Sequence, residues 1–166
     1  MFQSSVLQSQ LEGKAELYRE VELQLRGLFG GERDKIANAA NMSALLFQML
    51  PELNWAGFYF LADGRNELVV GPFQGKPACV RIAVGKGVCG TAVAERHSIL
   101  VPDVHAFPGH IACDAASRSE LVVPLFRAGE VVGVLDLDSP VPARFDDEDR
   151  GGLERAAALF SASYDT

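Results

Sequence analysis

The chain has 166 residues, 48% of them hydrophobic, with 15 basic against 22 acidic residues for a net charge of −7. That length suits one domain able to bury a core and shape a concave site, and the charge argues against nucleic-acid backbones or anionic lipid as partners. The opening MFQSSVLQSQLEGKAELYRE lacks a basic region followed by an apolar run, and no run of about 18 apolar residues occurs, so a soluble, cytoplasmic protein is expected.

In chain order, Leu17, Val21, Leu25 and Leu28 recur at helical spacing from Lys14 to Leu28, and Gly30-Gly31 ends the pattern. A second helix is predicted from Arg33 to Leu50, with Ile36, Ala40, Ser43, Leu46 and Phe47 on its inner stripe and Pro51 just beyond it. Strands follow at Trp55 to Leu61 and Glu67 to Val70, separated by Asp63-Gly64, a hairpin signal. Further strands are predicted at Cys79 to Ala83, Ile99 to Val101, Leu121 to Phe126 and Glu130 to Asp138, with Ala128-Gly129 turning between the last two. Between them, residues 85 to 98 (GKGVCGTAVAERHS) read as a loop feeding a short helix with Cys89 near its start. A closing helix from about Asp146 to Tyr164 opens on acids that suit its N-terminus and carries Leu153, Ala157 and Phe160 on one face. Helices, then hairpin-linked strands, then a helix imply an α+β domain: one central antiparallel sheet with helices packed on it. Residues 1–13 stand open as a helical arm, a flexible tail or part of a dimer contact, and a two-fold dimer through the terminal helices is a further expectation.

Three cysteines are an odd number for a structural disulfide framework. Cys79, Cys89 and Cys113 form no CxxC or CxxH pair, so the usual zinc spacings are missing and no metal is expected. Buried structural thiols or redox chemistry remain. GxGxxG matches at Gly85, Gly87 and Gly90, but a dinucleotide site would want a parallel βαβ unit that this strand order does not supply. On the first strand Trp55, Gly57 and Tyr59 share one face, which predicts an aromatic slot over a glycine floor, or simply a capped core. Asp136 and Asp138 share a face at the end of the last strand, and Glu120 begins the strand before it. Three carboxylates converging there would repel one another, and one at least would hold a proton. Such a cluster can grip an ammonium group and donate a proton.

WAGFYF, GPFQGKPAC, RIAVGKGVCGTAVAE, VPDVHAFPGHIACDAASRSELVVPL and GVLDLDSP together resemble the free methionine-(R)-sulfoxide reductases, single-domain members of the GAF fold. IANAANMSALLFQML, residues 36 to 50, is similar to the helix that precedes their first strand, and the resemblance runs from about Tyr18 to Asp149.

That resemblance implies an enzyme reducing free methionine-(R)-sulfoxide, with thioredoxin as reductant and no bound cofactor. It places the attacking thiol on Cys113 of GHIACD, its disulfide partner on Cys79 of GKPAC, and a further participant on Cys89 of GVCG. It places the substrate-site acids on Glu120, Asp136 and Asp138 and the aromatic walls on Trp55 and Tyr59, with Glu120 or Asp138 as proton donor. Spacing alone would nominate Cys89 instead, because a helix N-terminus favours a thiolate. His110 reads as a loop hydrogen-bond partner or a proton carrier, and Arg118 as a lowering influence on Cys113 or the mate of a nearby acid. Two other readings fit the same residues: a non-catalytic GAF sensor of a small ligand, and a peroxide-sensing thiol switch.

Overall fold

The computed structural model describes residues 13–64 and 66–165. Helices α1 (Lys14–Phe29) and α2 (Lys35–Met49) come first, followed by strands β1 (Trp55–Leu61), β2 (Glu67–Gly75) and β3 (Arg81–Ala83). Helix α3 (Gly87–Glu95), strand β4 (Ile99–Val101), a single 3-10 turn (Val104–Ala106), strands β5 (Ser119–Arg127) and β6 (Glu130–Ser139) and helix α4 (Asp147–Ser161) complete the chain. The six strands form one antiparallel sheet in the order β3-β2-β1-β6-β5-β4. The expected α+β fold is therefore the observed one. The arm expected over residues 1–13 lies outside the described residues, apart from Gly13 at the foot of α1. Among the described residues no helix is long and apolar enough to cross a membrane.

Strand alternation divides the core. Ala56, Phe58 and Phe60 of β1, with Leu121, Val123, Leu125, Leu135 and Leu137 of β5 and β6, pack under α1, α2 and α4. Trp55 and Tyr59, with Val122 and Val134, face the other way against α3 and the loops. The first layer is the larger and is structural; the second holds the candidate site.

Two helix stripes differ from expectation. In α1 the buried residues are Tyr18, Val21, Leu25 and Phe29, while Leu17 and Leu28 flank them at the edge of the core. In α2 Ile36 is 57% exposed and Ala40 is also exposed; Ala39, Met42, Ser43, Leu46 and Met49 face inward. This helix is apolar on more than one side, so periodicity does not choose its face. Asn38 does: it is buried, and its amide donates to Glu32 O and Ser163 Oγ at 3.1 Å each. Asp34 caps the start by accepting from Ala37 N at 2.8 Å.

The acids opening α4 do more than offset its dipole. Asp146 and Asp149 make a reciprocal capping box. Asp149 is fully buried, accepting from Tyr18 Oη at 2.6 Å and Lys14 Nζ at 2.6 Å, and so fastens α1 to α4.

Strand β2 runs past the predicted end at Val70 as far as Gly75. Gly57 pairs with Phe73 and Tyr59 with Val70, so Gly71 and Pro72 together oppose Phe58 in a bulge. Pro72 sits in the bulge, where no ladder donor is needed. Strand β3 starts at Arg81, two residues later than predicted, because Cys79 is held by another element.

Candidate active site

The site lies on the α3 face of the sheet. Register puts Glu120 of β5 directly opposite Asp138 of β6, and Asp136 next along the same face of β6. Trp55 pairs with Asp138 and Gly57 with Asp136 on the other flank, so the aromatic strand borders the acids. Glu120 and Asp136 are each 6% exposed, and among the described residues neither they nor Asp138 pair with a lysine or arginine.

Burial, first, and the charge of its neighbours, second, push all three carboxyls well above the usual carboxylate range. Neighbouring buried carboxyls relieve their repulsion by sharing a proton, and Glu120 and Asp136, on adjacent strands, are placed to do so. With every acid ionised, Asp136 Oδ1 is buried without a partner. The folded state thus binds protons that the unfolded chain releases, so the cluster is tolerated below about pH 4 and costs stability as pH rises above it. Asp136→Asn keeps the shape and removes one charge. Its melting temperature should pull ahead of wild type as pH rises from 4 to 8, by about 3 °C or more at the upper end; a gap that stays flat with pH would contradict the shifted carboxyls.

Cys89 is the third residue of α3, as its motif suggests, yet the expectation of an activated thiolate there fails. It is 3% exposed, and burial followed by the charges of Asp136, Glu120 and Asp138 drives its thiol pKa far up, against the helix dipole. The other two cysteines are joined. Cys79 and Cys113 form a disulfide at the rim of the pocket that Cys113 lines, with Cα atoms 5.6 Å apart and a sequence separation of 34. Cys113 is exposed and Cys79 half-buried.

The segment carrying Cys113, residues 107–118, is irregular, and it is fastened at both ends. Arg118 N donates to Ser139 O at 2.7 Å, and Phe107 N to Val104 O at 3.3 Å. Asn54 ties down its middle, its amide donating to Asp114 Oδ2 at 3.1 Å and to Ser117 Oγ at 3.0 Å. Sequence reasoning passed over Asn54 and Ser117, because a single polar residue before a strand carries no signal of a partner 60 residues away. The Ala116 N–H and the Asn54 amide hold the Asp114 carboxyl below its ordinary range. His110 Nε2 comes within 3.7 Å of Glu120 Oε2, and burial lowers its pKa, so at neutral pH it stands by the cluster as a neutral imidazole. Arg118 is exposed and makes no ion pair among the described residues.

Trp55 and Tyr59 are where the strand reading put them, but the slot between them is closed. Their rings stack at 5.8 Å, and Phe73 stacks on Trp55 at 5.1 Å. Gly57 is required by β2 rather than by a ligand: a Cβ there would lie 2.8 Å from Pro72 O and closer still to Phe73. The aromatics form a wall that also sets the loops, since Tyr59 Oη donates to Cys79 O at 2.9 Å and Trp55 Nε1 to Lys76 O at 3.2 Å. One pocket is thus lined by Glu120, Asp136, Asp138 and Cys89 at its floor, Trp55, Tyr59, Ile82 and Val88 at its sides, and Lys76, His110 and Cys113 at its mouth.

Residues 40–163 match the GAF domain family. A free methionine-R-sulfoxide reductase of Escherichia coli is 54% identical over 145 residues, 87% of each chain. One from Saccharomyces cerevisiae is 42% identical over 156 residues, covering 90% of this chain and 87% of its own. The solved structure of free methionine-R-sulfoxide reductase from Neisseria meningitidis in complex with its substrate superposes with a TM-score of 0.89 at 45% identity, covering 93% of this chain and 92% of that one. With this identity sustained over nearly the whole of both chains, the chain belongs to the GAF domain family and, within it, to the free methionine-R-sulfoxide reductases.

Proposed function

We propose that the protein reduces free L-methionine-(R)-S-oxide to L-methionine by thiol chemistry at Cys113. The observation that carries this is the Cys79–Cys113 disulfide, whose Cys113 lines a pocket that also holds an acid cluster with no lysine or arginine partner among the described residues. A free amino acid brings what that cluster lacks: an ammonium group, able to donate to Glu120, Asp136 and Asp138 at once. The methyl sulfoxide then rests against Trp55, beneath the cysteine at the mouth.

The sulfoxide oxygen leaves sulfur only when proton-loaded or strongly hydrogen-bonded, and Glu120 or Asp138, whose carboxyls burial pushes well above the usual carboxylate range, serves as donor. The Cys113 thiolate attacks sulfur, the S–O bond breaks, and oxygen ends on Cys113 as sulfenic acid while sulfur is reduced to the thioether. The Cys79 thiol displaces that oxygen as water and forms the disulfide. A dithiol reductant, thioredoxin in this reading, restores both thiols by exchange. Cys89, held as a neutral thiol, takes no covalent part.

The test is NADPH consumption coupled through thioredoxin and its reductase, comparing the free (R) sulfoxide, the free (S) epimer and a peptide-bound (R) sulfoxide. Turnover confined to the free (R) form is expected. A peptide has no free ammonium for the cluster, so equal turnover of the peptide would overturn the assigned role of the acids. Stoichiometric oxidation by peroxide without turnover of any sulfoxide would replace the enzyme by a thiol switch.

A further inference from the structure

One reactive side chain on the pocket floor has no part in the disulfide. Cys89 Sγ, a Glu120 carboxylate oxygen and an Asp136 carboxylate oxygen all lie within 4.8 Å of one another. The three residues come from α3, β5 and β6, and none is more than 6% exposed. Asp136 Oδ1 is buried there without a hydrogen-bond partner. An ammonium group would pair with the acids, whereas sulfur is a weak acceptor and offers it little; the Cys89 thiol instead stands directly against Asp136.

We propose that Cys89, Glu120 and Asp136 form a binding site for a thiophilic divalent cation of the Zn2+ or Cd2+ type. One thiolate with two carboxylates is a donor set for a borderline-soft ion, and it is too small and too soft for Mg2+ or Ca2+, which want about six oxygens or more. Tetrahedral zinc with bonds of about 2.0–2.3 Å needs ligand atoms roughly 3.3–3.8 Å apart. A contraction of about 1 Å, available to two carboxyl rotors, closes the observed triangle. His110 Nε2, 3.7 Å from Glu120 Oε2, stands at the open corner of the triangle. Sequence spacing could not show the site, because its donors converge only when the sheet and α3 are assembled.

The metal replaces protons: the thiol gives up its own, and the proton shared by Glu120 and Asp136 leaves with it, with no change of oxidation state. An ion here would occupy the place that the reductase reading gives to the substrate's ammonium group. That exclusion rests on the reductase reading; the binding does not.

The experiment uses full-length protein held as the Cys79–Cys113 disulfide, in which Cys89 is the remaining thiol of the three in the sequence. Cd2+ is titrated while the ultraviolet thiolate-to-cadmium charge-transfer band is followed, and Zn2+ is then added in competition. One equivalent should bind with the band and be displaced by Zn2+. Affinity should fall at least about 10-fold in Asp136→Asn, a loss already typical of disturbing a ligand's support, and the band should vanish in Cys89→Ser. No band at one equivalent, or a band of undiminished affinity in Asp136→Asn, overturns the site. Should Cys89→Ser fail to fold, Asp136→Asn and Glu120→Gln, which keep shape and thiol alike, decide the matter between them. Turnover is never read, so a failed reductase reading leaves this result standing.

Discussion

In protein carrying Cys79→Ser, one equivalent of free methionine-(R)-sulfoxide should be converted to methionine and no more, and the sulfenic acid left behind should be captured by a dimedone-type reagent on Cys113. In Cys113→Ser nothing should be converted, a loss on the order of 10³-fold or more, because the covalent route is gone and only binding remains. The reasoning is one of exposure against burial. Cys113 is open at the pocket mouth, whereas Cys89 is enclosed with three carboxyls that make its thiolate costly. Mass spectrometry of the labelled peptide separates the alternatives: the adduct on Cys89, in a protein without Cys79, would reverse the assignment. Single-turnover methionine yield with an intact Cys113→Ser fold would do so independently.

Replacing Gly152 by alanine should lower the melting temperature by roughly 2–10 °C, while the same change at Gly151 should raise it by roughly 1–4 °C. Helix propensity predicts a gain of about 0.5–1 kcal/mol at either position. Packing separates them. A Cβ on Gly152 would lie 2.6 Å from Tyr18 Cδ2 and nearer still to other atoms of that ring, and Tyr18 cannot swing away. It is 1% exposed, and its hydroxyl donates to buried Asp149. Forcing α1 off α4 costs about 2–3 kcal/mol, which outweighs the propensity gain. A Cβ on Gly151 meets only Arg155 Nη1, at 3.5 Å, the movable end of a long side chain. Thermal melts of the two variants read the opposite signs directly; stabilisation by both would mean that the contact between α1 and α4 yields.

The strands were legible because their signals are local: alternation along β1, and hairpin turns at Asp63-Gly64 and Ala128-Gly129. The acid cluster was legible for the same reason, since Glu120 and Asp138 sit on the two arms of one hairpin. What pattern could not reach is what non-local packing decides. The inward face of α2 is chosen by Asn38 and its bond to Ser163, 125 residues on. The aromatic slot is closed by Phe73, placed by a bulge that no motif announces. Cys89 shows the limit most sharply: its helical position was read correctly, and its acidity was misjudged because the opposing charges arrive from β5 and β6. Asn54, which steadies the Cys113 segment, had no motif at all.

Strand order has a consequence for the birth of the molecule. β1 lies between β2, its immediate successor, and β6, whose Asp138 pairs with Trp55 across 83 residues (138 − 55). At about 5–20 residues per second of synthesis, the inner edge of β1 waits roughly 4–17 s for its neighbour. Until then the β1–β2 hairpin exposes Phe58 and Trp55 on opposite faces and one bare edge, the kind of surface that chaperones hold and that pairs wrongly with other nascent chains. When β6 docks, the aromatic wall, the two acids it carries and the middle of the sheet are completed in one event. A chain cut short before Glu130, where β6 begins, would therefore lose the pocket's two β6 acids and the sheet's centre together.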